Sequence, residues 1–184
     1  MTVNKGITLW FTGLSGAGKT TVAKALEKRL KEMGLKVERL DGDLVRQYLT
    51  RDLGYSRSDR NENIRRVSYV AALLTRNEVI TLCCFISPYR QGRLEARKLI
   101  GSFAEIYVNA PLAVCERRDV KGLYKKARAG EIATFTGISD PYEPPDAPEI
   151  EIRTDLLSVD HCVDKVIGYL VDNCYIKKRS NRGY

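Results

Sequence analysis

Short apolar runs at residues 7–11, 36–40, 79–86, 105–108 and 149–152 predict strands. Between them apolar positions recur at helical spacing over 21–33, 59–76, 94–100 and 158–171, with a short helix predicted at 112–118. The first long helix is expected to stop at Gly34, and the second has Ser58 or Asp59 as its candidate cap, with Glu62 near the capping-box spacing. Strands alternating with helices predict an α/β fold, a parallel sheet with helices on both faces. Ligands of such sheets bind beyond the carboxyl ends of the strands, so the residues that follow each strand are the ones to examine. The length fits one domain, placed at 1–174, followed by a basic tail at 175–184.

After the first run comes Gly13-Leu14-Ser15-Gly16-Ala17-Gly18-Lys19-Thr20, with Thr21 continuing into the helix. This is the phosphate-loop pattern in its required setting of strand, glycine loop and helix. The glycines let successive backbone N–H groups face one phosphate chain, and the helix adds the positive end of its dipole. Lys19 is placed to reach the terminal phosphates of a nucleoside triphosphate, and the Thr20 hydroxyl to ligate Mg²⁺.

After the second run comes Asp41-Gly42-Asp43, with Arg46 three residues on; after the third, Ser87-Pro88-Tyr89-Arg90; after the fourth, Asn109-Ala110-Pro111. Phosphoryl transfer needs a phosphate cradle, Mg²⁺, a group that orients or deprotonates the acceptor, and cations that hold it. Asp41 and Asp43 are candidates for the middle two roles. Asp43 also stands where a cap would precede a helix at 44–49, and capping is compatible with chemistry. There is no Asn-Lys-x-Asp guanine-reading motif, which favours a kinase over a GTPase switch. Arg60 and Asn63 share a helix face, read either as a solvated surface or as ligands for an anion and a sugar or base. A cationic segment at 121–128 runs into the Gly/Pro-rich stretch 129–148, which predicts a mobile lid over the phosphate site.

The net charge of +8 includes Lys177, Lys178, Arg179 and Arg182; the remaining +4 suits a protein that handles small polyanions. No recognised nucleic-acid module and no membrane-length apolar run is present, so neither partner is expected. Five cysteines in no zinc-like spacing predict free thiols in a reducing cytoplasm. His161, the only histidine, falls in the last helix and reads as a surface residue.

Taken together, Asp-Gly-Asp-x-x-Arg at 41–46, Ile-Ser-Pro-Tyr-Arg at 86–90, Lys-Gly-Leu-Tyr-Lys-Lys-Ala-Arg at 121–128 and Phe-Thr-Gly-Ile at 135–138 closely resemble the adenylyl-sulfate kinase family over about residues 6–171. The resemblance implies ATP-dependent phosphorylation of the ribose 3′-hydroxyl of adenylyl sulfate. It implies Lys19, Asp43 and Ser87 as active-site residues, with Asp43 as base or orienter. It also implies an acceptor site of Asp41, Asp43, Arg46, Tyr55, Arg60, Asn63, Ile86, Ser87, Lys121, Thr134 and Phe135, with Phe135 stacked on adenine. Tyr55 replaces the phenylalanine, and Ser139 the aspartate, that the family commonly shows. Ser87 carries the family's phosphoserine assignment, but in-line transfer between two bound nucleotides needs no covalent relay, and a binding role is expected. A homodimer, and fusion to or association with ATP sulfurylase, are further expectations from the resemblance. Another small-molecule P-loop kinase shares the first motif and is the alternative.

Overall fold

Along the central strand β1 (Ile7–Thr12), alternate side chains enter two different cores, and all six residues are buried. In the computed structural model, which describes residues 5–177, Ile7, Leu9 and Phe11 pack against α1 (Lys19–Glu32) and α7 (Val159–Asp172). Trp10 faces the other way, onto α3 (Arg57–Arg76) and α4 (Arg90–Ile100). A period of two with both faces covered is what a central parallel strand requires. The neighbours are β3 (Ile80–Cys84), in register Leu9↔Leu82, and β4 (Phe103–Val108), in register Leu9↔Ala104. Strands β2 (Val37–Asp41) and β5 (Ile150–Ile152) complete an all-parallel sheet in the order β2-β3-β1-β4-β5. Three short helices lie at its carboxyl end: α2 (Gly42–Tyr48), α5 (Leu112–Arg118) and α6 (Leu123–Arg128).

The predicted fold class is found, and the differences lie at element ends. Helix α3 begins at Arg57 because Ser56, not Ser58 or Asp59, is its cap: Ser56 Oγ accepts from the Asp59 N–H at 3.1 Å and donates to Asp59 Oδ2 at 2.7 Å. Helix α4 begins at Arg90, four residues before the predicted start, because a distant carboxylate caps it; the Arg90 N–H donates to Glu143 Oε2 at 2.8 Å. Strand β3 ends at Cys84, short of the predicted 86. Ile176, within the expected tail, is buried in the α1/α7 core; the rest of that tail, residues 178–184, lies outside the described residues.

The stretch 129–148 divides in two. From Phe135 onward it is a strap pinned across the ends of β1 and β3. The Glu143 N–H donates to Pro88 O (2.8 Å), Tyr142 OH shares a hydrogen bond with Thr12 Oγ1 (3.0 Å), and Tyr89 OH donates to Asp140 Oδ2 (3.0 Å). The lid was expected over the whole stretch; before the strap only residues 129–131, 133 and 134 are exposed, while Ile132 packs partly on the core and α6 buries Tyr124 and Ala127 in it.

Candidate active site

The phosphate loop runs from Gly13 to Thr20 and is clamped by the ends of β4, α5 and β5. Gly13 adopts φ +143°, and a Cβ there would lie 2.4 Å from Val108 O, so only glycine fits between the loop and β4. Gly16 has φ +72° and faces the Cys115 carbonyl at 2.9 Å from the same hypothetical atom. Thr154, just beyond β5, donates from Oγ1 to Ala17 O at 2.6 Å, and Arg118 from α5 donates to Thr154 Oγ1 (3.0 Å) and Thr154 O (2.8 Å). Tyr124 on α6 donates to Ser15 O at 3.0 Å. Arg118 and Thr154 escaped the sequence reading because each joins the loop across more than a hundred residues and carries no local motif; Tyr124 lies in the 121–128 motif, but nothing local marks it as a partner of Ser15.

Lys19 is buried, and its ammonium donates to Gly13 O (2.8 Å) and Leu14 O (2.7 Å). Burial lowers its pKa to about 8. Burial pushes the nearby Cys84 thiol up to about 12 and raises Cys115 as well, so both stay protonated and inert. Thr20 Oγ1 donates to Asp41 Oδ2 at 3.1 Å, and Arg39 Nη1 donates to the same oxygen at 3.0 Å. One hydroxyl backed by one carboxylate suits a hard cation that takes its other ligands from phosphate and water. Among the described residues no group of three acids, histidines or cysteines gathers to hold a metal by itself. The donor set therefore fits Mg²⁺ bound together with a nucleotide. Thr21, also assigned to the loop, is exposed.

Asp41, not Asp43, is the cap of α2: its Oδ1 accepts from the Asp43 N–H at 3.1 Å, and the helix begins at Gly42 instead of Leu44. Asp43 is released from that task. Its exposed carboxylate pairs with Lys121, 78 residues away in sequence.

Of the other residues expected to hold the acceptor, Arg46, Tyr55, Arg60 and Thr134 are brought together. The Arg46 guanidinium lies 4.2 Å from the centre of the Tyr55 ring and donates to Gly54 O (2.9 Å) and Leu53 O (3.2 Å). Tyr55 is 61% exposed, an open aromatic platform. Arg60 crosses to the lid, donating to Thr134 O (3.2 Å), Thr136 Oγ1 (3.1 Å) and Tyr55 O (2.9 Å). Asn63 is buried and accepts from Thr50 Oγ1 at 2.7 Å. Phe135 is 8% exposed and meets Tyr124 edge to face at 4.9 Å, part of the core more than an open stacking surface.

Ser87 is 4% exposed and in a left-handed conformation, φ +38°. Its Oγ accepts from Trp10 Nε1–H (3.0 Å) and donates to Thr12 Oγ1 (3.1 Å); Thr12 in turn donates to Ile86 O (2.8 Å). The serine proton is thus directed to another hydroxyl, with no carboxylate or imidazole bonded to it among the described residues. That arrangement suits structure and positioning, not nucleophilic attack.

A glycine phosphate loop at the end of the central strand of a parallel sheet, with Lys19, Thr20 and Asp41 around it, defines a P-loop kinase. The sequence model of the family Adenylylsulphate kinase matches residues 5–153. The adenylyl-sulfate kinase of Halothermothrix orenii is 67% identical over 94% of this chain and 93% of its own length. The APS kinase CysC of Mycobacterium tuberculosis, solved in complex with AMPPNP and APS, superposes with a TM-score of 0.88 at 47% identity, covering 91% of this chain and 98% of that one. A hexameric APS kinase from Thiobacillus denitrificans gives 0.73 at 37% identity; 95% of this chain matches 30% of that longer one. The chain therefore belongs to the adenylyl-sulfate kinase family.

Two outcomes are expected. A bound triphosphate favours the charged form of Lys19, so above pH 8 nucleotide binding should take up a proton, about 0.9 per site at pH 9 for a group titrating near 8. Affinity then falls as pH rises through about 8. Calorimetry in two buffers of different ionisation enthalpy measures the uptake; equal apparent enthalpies at pH 9 would contradict it. Ser87→Ala should keep activity to within about tenfold while lowering stability by about 1–3 kcal/mol, because the buried Trp10 N–H loses its acceptor. A phosphorylated Ser87 that forms and decays at the turnover rate would overturn the positioning role.

Proposed function

We propose that this chain transfers the γ-phosphoryl group of ATP to the ribose 3′-hydroxyl of adenylyl sulfate, giving 3′-phosphoadenylyl sulfate and ADP. Family membership supports the reaction. The observations that support the residue roles are the pairing of Asp43 with Lys121 and the gathering of the Arg46 and Arg60 guanidiniums at the Tyr55 ring. The M. tuberculosis relative's complex with AMPPNP, an ATP analogue, and APS supports the same pair of substrates here.

In this reading the backbone of residues 13–20 holds the ATP phosphates, and Lys19 exchanges the Gly13 and Leu14 carbonyls for phosphate oxygens. Thr20, with Asp41 behind it, holds Mg²⁺, which neutralises charge on the phosphates when bound. Asp43 orients the acceptor hydroxyl and takes its proton; for that the Lys121 ammonium has to leave the carboxylate and turn to the transferring charge. Arg46 and Arg60 face the phosphate–sulfate anhydride, which carries negative charge on both sides, and Tyr55 offers a ring for the purine. The Phe135 ring closes the floor under it, with Thr134 at the exposed rim. Ile86 and Ser87 shape the acceptor turn.

Among the described residues no helix is long and apolar enough to cross a membrane, and a cytoplasmic setting fits five thiols that are all free. A homodimer is the proposed assembly, and association with ATP sulfurylase a further one, both on family resemblance.

With ATP present, adenylyl sulfate should exceed AMP, adenosine and shikimate in kcat/KM; parity with AMP would reject the acceptor. Asp43→Asn should lower kcat by roughly 10²–10⁴-fold with little change in nucleotide affinity. Helix α2 keeps its Asp41 cap in that variant, so an unchanged kcat would remove Asp43 from the chemistry.

A further inference from the structure

Arg93 on α4 is 3% exposed, and no step above uses it. A buried guanidinium is costly unless its donors are engaged. Here three nitrogens bond three different segments. Nε donates to Glu105 Oε1 on β4 (2.6 Å), Nη1 to Ser87 O in the turn after β3 (2.6 Å), and Nη2 to Glu143 O in the strap (2.7 Å). The Tyr142 ring centre lies 5.8 Å from the guanidinium carbon. Neutralising Glu105 would need only one of these bonds. The other two fix the backbone of the Ser87 turn and of the strap.

The turn needs such a hold. Ser87 is a non-glycine residue at φ +38°, a strained conformation that persists only when its surroundings impose it. Its side chain is fixed by Trp10 and Thr12, and its carbonyl by Arg93. The N–H groups of Ile86 and Ser87 have no acceptor among the described residues, which leaves two adjacent donors for a ligand. On the strap side, Glu143 is bonded through its N–H to Pro88 O, through its carboxylate to the Arg90 N–H and through its carbonyl to Arg93.

We propose that Arg93 is a positioning residue of the acceptor subsite: anchored by Glu105, it clamps the Ser87 turn to the strap and sets the left-handed backbone that faces the acceptor. The inference rests on the kinase reading above. It acts on one substrate only, because the phosphate loop is clamped separately by Arg118 and Thr154.

The test compares the parent chain with Arg93→Lys, which keeps the charge but cannot reach both carbonyls and Glu105 together. A second variant, Arg93→Met with Glu105→Leu, removes both buried charges and fills the space with apolar groups, the kind of exchange that folded proteins tolerate well. In each, KM for adenylyl sulfate should rise by about tenfold or more while KM for ATP stays within about threefold. A general loss of structure would instead move both constants and the melting temperature together. If either variant folds and keeps the parent KM for adenylyl sulfate, or if neither folds, the clamp is overturned and Arg93 is a folding residue. If the parent chain itself does not phosphorylate adenylyl sulfate, it is the assigned reaction that fails.

Discussion

A site built for polyanions concentrates positive charge, and the fold has to hold those cations without surrendering them to carboxylates. That constraint organises the structure. Lys19 rests on two loop carbonyls, Arg46 on two carbonyls and an aromatic face, and Arg60 on two carbonyls and a hydroxyl. A carbonyl is a neutral acceptor, so a phosphate or sulfate oxygen can replace it at a gain in charge-assisted hydrogen bonding. Two of the cations do meet carboxylates: Lys121 pairs with Asp43, and Arg60 Nε lies 3.8 Å from Asp140 Oδ2. Where a cation does meet a carboxylate deep inside, as Arg93 meets Glu105, the pair serves the frame.

The frame itself follows from β1. Its Trp10 stacks at 5.8 Å on Phe85 and on Phe103, and its indole N–H reaches out of that core to Ser87. Thr12, next but one, carries the Tyr142 and Ile86 contacts. One strand thus supplies the phosphate loop at its end and fixes, through two side chains, the turn and strap on the acceptor side. Nucleotide and acceptor halves share a common rigid origin.

What could be read from the chain follows the same division. The phosphate loop, the strand sequence and the Asp41–Arg46 segment are local patterns, and they sit where their spacing placed them. Misreadings arose where a partner far along the chain decides. Helix α4 starts early because Glu143 caps it, and Arg93 carries no local signature, because the fold alone brings Ser87 and Glu143 to it. The choice between Asp41 and Asp43 as cap turned on a single residue, since either carboxylate can fill the position by propensity. Phe135, which the resemblance implies stacks on adenine, packs edge to face on Tyr124, a partner its motif gives no sign of beforehand.

The two ends of the described chain meet at the foot of the sheet. Ser102, just before β4, donates to Gly6 O at 2.8 Å and lies 3.5 Å from the Tyr175 hydroxyl. Both ends therefore emerge together at the amino ends of the strands, the pole opposite the phosphate loop. The described chain thus keeps both its first and its last contacts with the sheet away from the pole that carries the phosphate loop. The fold is in this sense a cartridge, with the ends of the described chain at one pole and its chemistry at the other.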